Sequence, residues 1–305
     1  MNQTSNKTLL MPFTVLGWPN VATSAQIIDT LASNGADALE LGLPFSEPIA
    51  DGPVIQAAVT EALENGFTMA DGWALIAQTR AKYPDLPISL LVYTNTVLSV
   101  KASQQGGQST LAQCDGPEAF YSQAKACGVN AVLVADSPVE ASMETLIPEA
   151  RKHGIAPVFI VSPLTDESRI QAMAEAISTT GDAALSPSDE GSGASPHNAS
   201  KAFKYWYVVS RLGITGTEAR YDTALNETLA KLKRLSNLPA LVGFGISMPE
   251  HVAQMRDAGA NGVIIGSKII QMIQAASAAG RDWQAELTDW MHAMRKACQA
   301  IPANV

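Results

Sequence analysis

Positive charge is the first scarcity. The 305 residues carry 20 Lys and Arg against 29 Asp and Glu, a formal net charge of −9, and the basic residues are nowhere clustered. A surface that holds nucleic acid or anionic lipid needs concentrated positive charge, so both are set aside in favour of a small molecule or another protein. Cysteine is scarce as well. Cys114, Cys127 and Cys298 lack the short paired spacings of a zinc site or a redox motif, so the expectation is reduced thiols, a cytoplasmic location and no metal site. Long apolar runs are also missing, and no segment is long enough to cross a membrane. The run "LLMPFTVLG" follows Lys7 in the manner of a secretory signal, but Pro12 interrupts it and Gly17, Trp18 and Pro19 end it without a clear cleavage site. It reads as a first strand and its loop.

Short apolar runs, by contrast, are plentiful, and at 47% hydrophobic and 16% charged the chain can bury a large core. Three stretches repeat one pattern: "NGADALELG" at 34–42, "CGVNAVLVAD" at 127–136 and "AGANGVIIGS" at 258–267. In each, a helix-like segment ends at a glycine suited to a left-handed cap, and a β-prone run follows. Helical periodicity is expected over 22–33, 70–83, 118–126, 143–153, 167–178, 223–235, 250–258 and 268–279. Between these lie "FTVLG", "ALEL", "ISLLVY", "AVLVA", "PVFIV", "YWYVV", "ALVGF" and "GVIIG".

Alternation of strand and helix predicts a parallel sheet, and strands apolar on both faces fit one that is covered on both sides. Eight such units fit a closed (β/α)8 TIM barrel, which takes about 250 residues. An open doubly wound sheet would carry its glycines after the first strand; here they follow the sixth, seventh and eighth, where barrels bind phosphate. The expectation is therefore a single α/β barrel domain over 1–305 with two low-complexity insertions. One, near 101–116, follows the third strand on the catalytic face; the other, near 178–202, precedes the sixth strand on the opposite face.

Within "LELGLPFSEPIADGP", strand alternation turns Glu40 away from its leucine neighbours and into the barrel lumen near the mouth. The alternative is an internal ion pair. Asp51 follows in the next loop, where it could equally be a turn residue supporting its own backbone. Tyr207 shares an inward face with Tyr205 and lies nearer the mouth; it is either a core phenol or a hydrogen-bond partner of a carboxylate. Gly216, Gly245 and the pair Gly266–Ser267 fall on three successive late loops, the last opening a helix. Backbone N–H groups at such places form an anion pocket.

The segments "ALELGLPFSEPIADGPVIQ", "YVVSRLGITG", "GFGISMPEHV" and "GVIIGSKII", in this order, resemble the tryptophan synthase alpha subunit family, over roughly residues 11–298. The resemblance implies cleavage of indole-3-glycerol phosphate to indole and glyceraldehyde 3-phosphate, late in tryptophan biosynthesis, with no cofactor. It makes Glu40 the general acid and base, Asp51 its partner and Tyr207 a neighbour of Glu40. It places phosphate on Gly216, Gly245, Gly266 and Ser267, and indole among Phe13, Ile55, Leu91, Tyr93, Phe244 and Ile264. It makes the loop from Arg211 to Gly216 a lid whose Thr215 orders Asp51. It also implies a β subunit that uses pyridoxal phosphate.

Departures from the family pattern bear on that partnership. Trp18 and Glu47 each stand where the family commonly has Asp, few residues precede Met11, and the 101–116 insertion lies near the docking face. A stand-alone indole-releasing lyase and a catalytically silent regulatory subunit stay open as alternatives.

Overall fold

Apolar runs bounded by glycine and polar turns become short strands buried on both faces, and the amphipathic segments between them become helices. The computed structural model describes residues 7–100, 115–179, 202–209, 218–243 and 245–299. In chain order the strands and helices are β1 (Leu9–Val15), α1 (Val21–Ser33), β2 (Leu39–Gly42), α2 (Pro53–Glu64), α3 (Met69–Lys82), β3 (Ile88–Val92), α4 (Thr94–Leu98) and α5 (Pro117–Ala126). There follow β4 (Ala131–Val134), α6 (Val139–Lys152), β5 (Ala156–Val158), β6 (Ile160–Val161), α7 (Glu167–Ser178), β7 (Trp206–Val209) and α8 (Glu218–Leu235). The chain continues through β8 (Ala240–Gly243), α9 (Pro249–Asp257), β9 (Gly262–Ile265), α10 (Ser267–Ala278) and α11 (Trp283–Cys298).

All pairings are parallel, in the order β5-β4-β3-β2-β1-β9-β8-β7-β6. The two ends of that order, β5 and β6, are halves of one strand separated only by Phe159. Phe159 itself accepts a backbone bond from the Tyr207 N–H at 3.3 Å. The chain thus changes partners at one residue, and the sheet closes as the expected (β/α)8 barrel with β5 and β6 forming its fifth strand.

The run after Lys7 is β1, held on one side by β2 and on the other by β9, and it begins at Leu9 because Leu9 to Pro12 pair with Gly262 to Ile265. Among the described residues, three helices lie beyond the eight anticipated: α2, α4 and α11. The first opens with Pro53 after Gly52, a position where a missing N–H costs nothing and the fixed φ favours the helix. Most of both expected insertions lies outside the described residues.

At the N-terminal end of the barrel, the Asp37 carboxylate meets Lys7 Nζ at 3.0 Å and Arg295 Nη1 at 2.6 Å and accepts the Leu10 N–H at 2.9 Å. Beside this clamp the Thr8 N–H donates to the Cys298 carbonyl at 2.9 Å. Cys127 and Cys298 are buried free thiols, and Cys114 lies outside the described residues. No described helix is long and apolar enough to cross a membrane.

Candidate active site

The C-terminal ends of the strands surround a cavity of about 260 Å³. Phe13 of β1, Leu91 of β3, Leu133 of β4, Ile160 of β6, Tyr207 of β7 and Ile264 of β9 form its apolar wall, and Asp51, Gly52 and Ile55 close one side. Opposite them, Gly245, Ile246, Ser247, Gly266, Ser267, Lys268 and Gln271 form a polar end. A mostly apolar slot with a glycine-rich, N–H-bearing end suits a flat ring attached to an anion.

Strand alternation carries Glu40 inward, as expected, and it is fully shielded from solvent. Among the described residues no cation pairs with it, and both carboxylate oxygens are buried without a hydrogen-bond partner, which does not favour the ion-pair alternative. Burial, followed by the negative charge of Asp51, pushes its pKa from 4.5 up to about 8. The Tyr205 hydroxyl acts in the opposite sense, favouring the ionised form, but from a position short of full hydrogen-bond geometry. Glu40 itself does not line the cavity, but Tyr207, which does, is within electrostatic reach of both Glu40 and Asp51.

Asp51 is fixed from both sides. Its carboxylate accepts from the Tyr93 hydroxyl at 2.8 Å, and its loop is pinned by Gln56 Nε2, which donates to the Asp51 carbonyl at 2.8 Å and to the Pro48 carbonyl at 3.2 Å. Burial raises the Asp51 pKa and the Tyr93 bond pulls it back. Tyr93 is expected as a wall of the ring pocket. It reaches the site through its bond to Asp51, its ring stacked on Phe45 with centroids 5.1 Å apart and its oxygen also accepting the Ala50 N–H at 3.1 Å.

At the polar end, Gly245 takes φ +79°, a conformation that side chains rarely adopt, and α10 starts directly after Gly266 with no side chain capping its first turn. The uncapped N–H groups and the helix dipole favour an anion there. A Cβ on Gly266 would sit 2.7 Å from Phe13 Cδ1, so glycine at this position also makes room for the ring-side wall.

The structure thus brings together Phe13, Glu40, Asp51, Ile55, Leu91, Tyr93, Tyr207, Gly245, Ile264, Gly266 and Ser267. Arg211, Thr215, Gly216 and Phe244 lie outside the described residues. Sequence reading passed over Ser89 and gave Tyr205 no role. Ser89 is a polar residue inside an apolar strand, and that was its one available signal.

Over residues 1–180 and 195–299 the chain matches the family model described as tryptophan synthase alpha chain. It is 40% identical to the tryptophan synthase alpha chain of Shewanella baltica, over 94% of this chain and 90% of that one. Among solved structures it is similar to the tryptophan synthase alpha chain of Legionella pneumophila, with a TM-score of 0.76 and 26% identity over 98% and 94% of the two chains. It is also similar to a chain of the tryptophan synthase α2β2 complex of Pyrococcus furiosus, with a TM-score of 0.73 and 28% identity over 95% and 98%.

Proposed function

Because the chain belongs to the tryptophan synthase alpha chain family, and so cleaves indole-3-glycerol phosphate to indole and glyceraldehyde 3-phosphate, we propose that Glu40 is the acid and base of that cleavage and Asp51 its electrostatic partner. The observation that supports this reading is the pair itself: a wholly buried, unpaired carboxyl with its pKa raised to about 8, beside a second carboxyl locked in place by Tyr93.

The reaction needs two proton movements. Indole C3 must gain a proton so that the ring can leave as neutral indole, and the hydroxyl on the adjacent glycerol carbon must lose one as the aldehyde forms. A carboxyl with a pKa near 8 is protonated at neutral pH and can supply the first proton. It then takes the hydroxyl proton as the carbon–carbon bond breaks and its electron pair returns to the ring, which restores Glu40 to its starting state. Since Glu40 does not line the cavity, its carboxyl turns toward the cavity to reach C3.

Protonation at C3 spreads positive charge to the ring nitrogen. Asp51, at the cavity wall, accepts the ring N–H and stabilises that charge. The ring lies among Phe13, Ile55, Leu91 and Ile264, and the phosphate binds the N–H groups around Gly245, Gly266 and Ser267 at the start of α10. Gly216, Phe244 and the lid with Arg211 and Thr215 keep their sequence-based roles in the same proposal, as does operation in the cytoplasm. The chemistry asks for no metal or organic cofactor.

The same face is proposed to dock a β subunit that uses pyridoxal phosphate. Ile49 (77% exposed), Leu164 (78%) and Met248 (49%) lie on loops or turns that follow strands, and Leu98 (48%) ends the short α4 after β3, all on the side of the mouth. Exposed apolar side chains gathered at one end mark an interaction surface. Trp18, one of the departures from the family pattern, does not face that partner: it is buried, and its Nε1 donates to Glu61 of α2 at 2.6 Å. Steady-state indole release with and without an added β subunit tests the assignment. Slow release that the β subunit stimulates strongly is expected. Unstimulated fast release would mean a stand-alone lyase, and no release in either case would overturn the catalytic reading.

A further inference from the structure

A residue that donates a proton and then takes one back needs surroundings that accept both of its charge states. Ser89 stands directly across from Glu40 in the register between β2 and β3. It is wholly buried in the otherwise apolar strand ISLLV, where an unbonded hydroxyl would be costly. Its Oγ lies 3.0 Å from the hydroxyl of Tyr205, also wholly buried, and either oxygen can donate. Tyr205 in turn bears on Glu40.

Taking Glu40 as the acid and base of the reaction, we propose that Ser89 is a positioning residue, its hydroxyl pairing with that of Tyr205 to give Glu40 a reversible hydrogen-bond partner in both charge states. One hydrogen lies between the two oxygens, so the pair has two arrangements. When Ser89 donates to Tyr205, the Tyr205 proton is free to point at a carboxylate. When Tyr205 donates to Ser89, its oxygen is free to accept the proton of a carboxylic acid. Small rotations of hydroxyl and carboxyl groups join either form to Glu40, whose own oxygens have no other partner among the described residues. Among the described residues, the titratable groups that face Glu40 are Asp51 from the loop after β2, Tyr205 just before β7 and Tyr207 within it. β1, β3, β8 and β9 carry no ionisable side chain.

The two hydroxyls predict opposite effects. With Ser89→Ala, protonating Glu40 leaves the Tyr205 O–H without its acceptor, so the acid form is disfavoured and the Glu40 titration moves down by about one pH unit. With Tyr205→Phe the carboxylate loses the hydroxyl that favours it, and the titration moves up by about the same amount. Infrared difference titration of the Glu40 carboxyl, with Glu40→Gln as the blank, reads both shifts directly. The alkaline limb of kcat/KM follows in the same directions, and Ser89→Thr, which keeps a hydroxyl, returns both readouts toward wild type. Anything other than opposite infrared shifts in Ser89→Ala and Tyr205→Phe overturns the proposal, since loosened packing alone would move both variants the same way or neither. Full turnover in Glu40→Gln would overturn the acid–base assignment instead, and would leave the infrared shifts unaffected.

Discussion

A wholly buried carboxyl with a raised pKa is a source of instability as well as of chemistry. Below pH 4.5 folded and unfolded chains both keep the Glu40 proton, whereas between 4.5 and about 8 only the unfolded chain gives it up freely. Folding stability therefore falls as pH rises through that window and levels off above it. Glu40→Gln removes the liability. It is expected to melt like wild type near pH 4 and at a higher temperature by pH 8, while losing turnover by roughly 10²-fold or more; thermal denaturation across pH and an indole-release assay check the two halves. The same carboxyl sets the alkaline limb of the pH–rate profile, because activity is lost as the acid ionises. Asp51, which must stay ionised, sets the acid limb, above its usual range because burial raises its pKa. Asp51→Asn removes a negative neighbour that holds the Glu40 pKa up, so its alkaline limb should move to lower pH, and turnover should fall by about 10²-fold as the ring nitrogen loses its counter-charge.

At the scale of elements, the start of α10 and the end of β1 act as one piece, because Gly266 and Phe13 occupy space that only one side chain can fill. Gly266→Ala should displace Phe13 from the cavity wall and disturb the anion end together, raising KM for indole-3-glycerol phosphate by about tenfold with a smaller change in kcat. Adding Phe13→Leu to that variant should recover part of the loss. The strands were legible in sequence because each was an apolar run ended by glycine, and Glu40 because strand alternation put one charge on the wrong side of such a run. The hidden helices had physical reasons for being missed. The buried stripe of α2 is Ile55, Ala58, Val59 and Ala62, whose alanines give little hydrophobic contrast, and α4 spans five residues, too few to show a period. α11 does show one, through Leu287, Met291, Met294 and Cys298, but it follows eight complete units that already account for a barrel. The bond from the Tyr93 phenol to the Asp51 carboxylate was not legible, because it joins two separate loops, a contact that no local pattern encodes.

For the molecule as a whole, the first and last described elements are tied together at one carboxylate. Asp37 holds Lys7, the backbone of β1 and Arg295 of α11 at once, and its side chain is only 9% exposed. Asp37→Ala leaves two cations and a backbone N–H without their carboxylate and should lower the unfolding free energy by about 3 kcal/mol, measurable by urea denaturation. Indole release by the folded fraction should not change, since the clamp lies at the opposite end of the barrel from the cavity. The neighbouring contact between Thr8 and Cys298 has a different consequence. Because these two residues already touch, a brief peptide splice joining the stretch before β1 to the stretch after α11, with fresh ends opened in one of the turns on that same side, should yield a circularly permuted enzyme that assembles around an unaltered mouth.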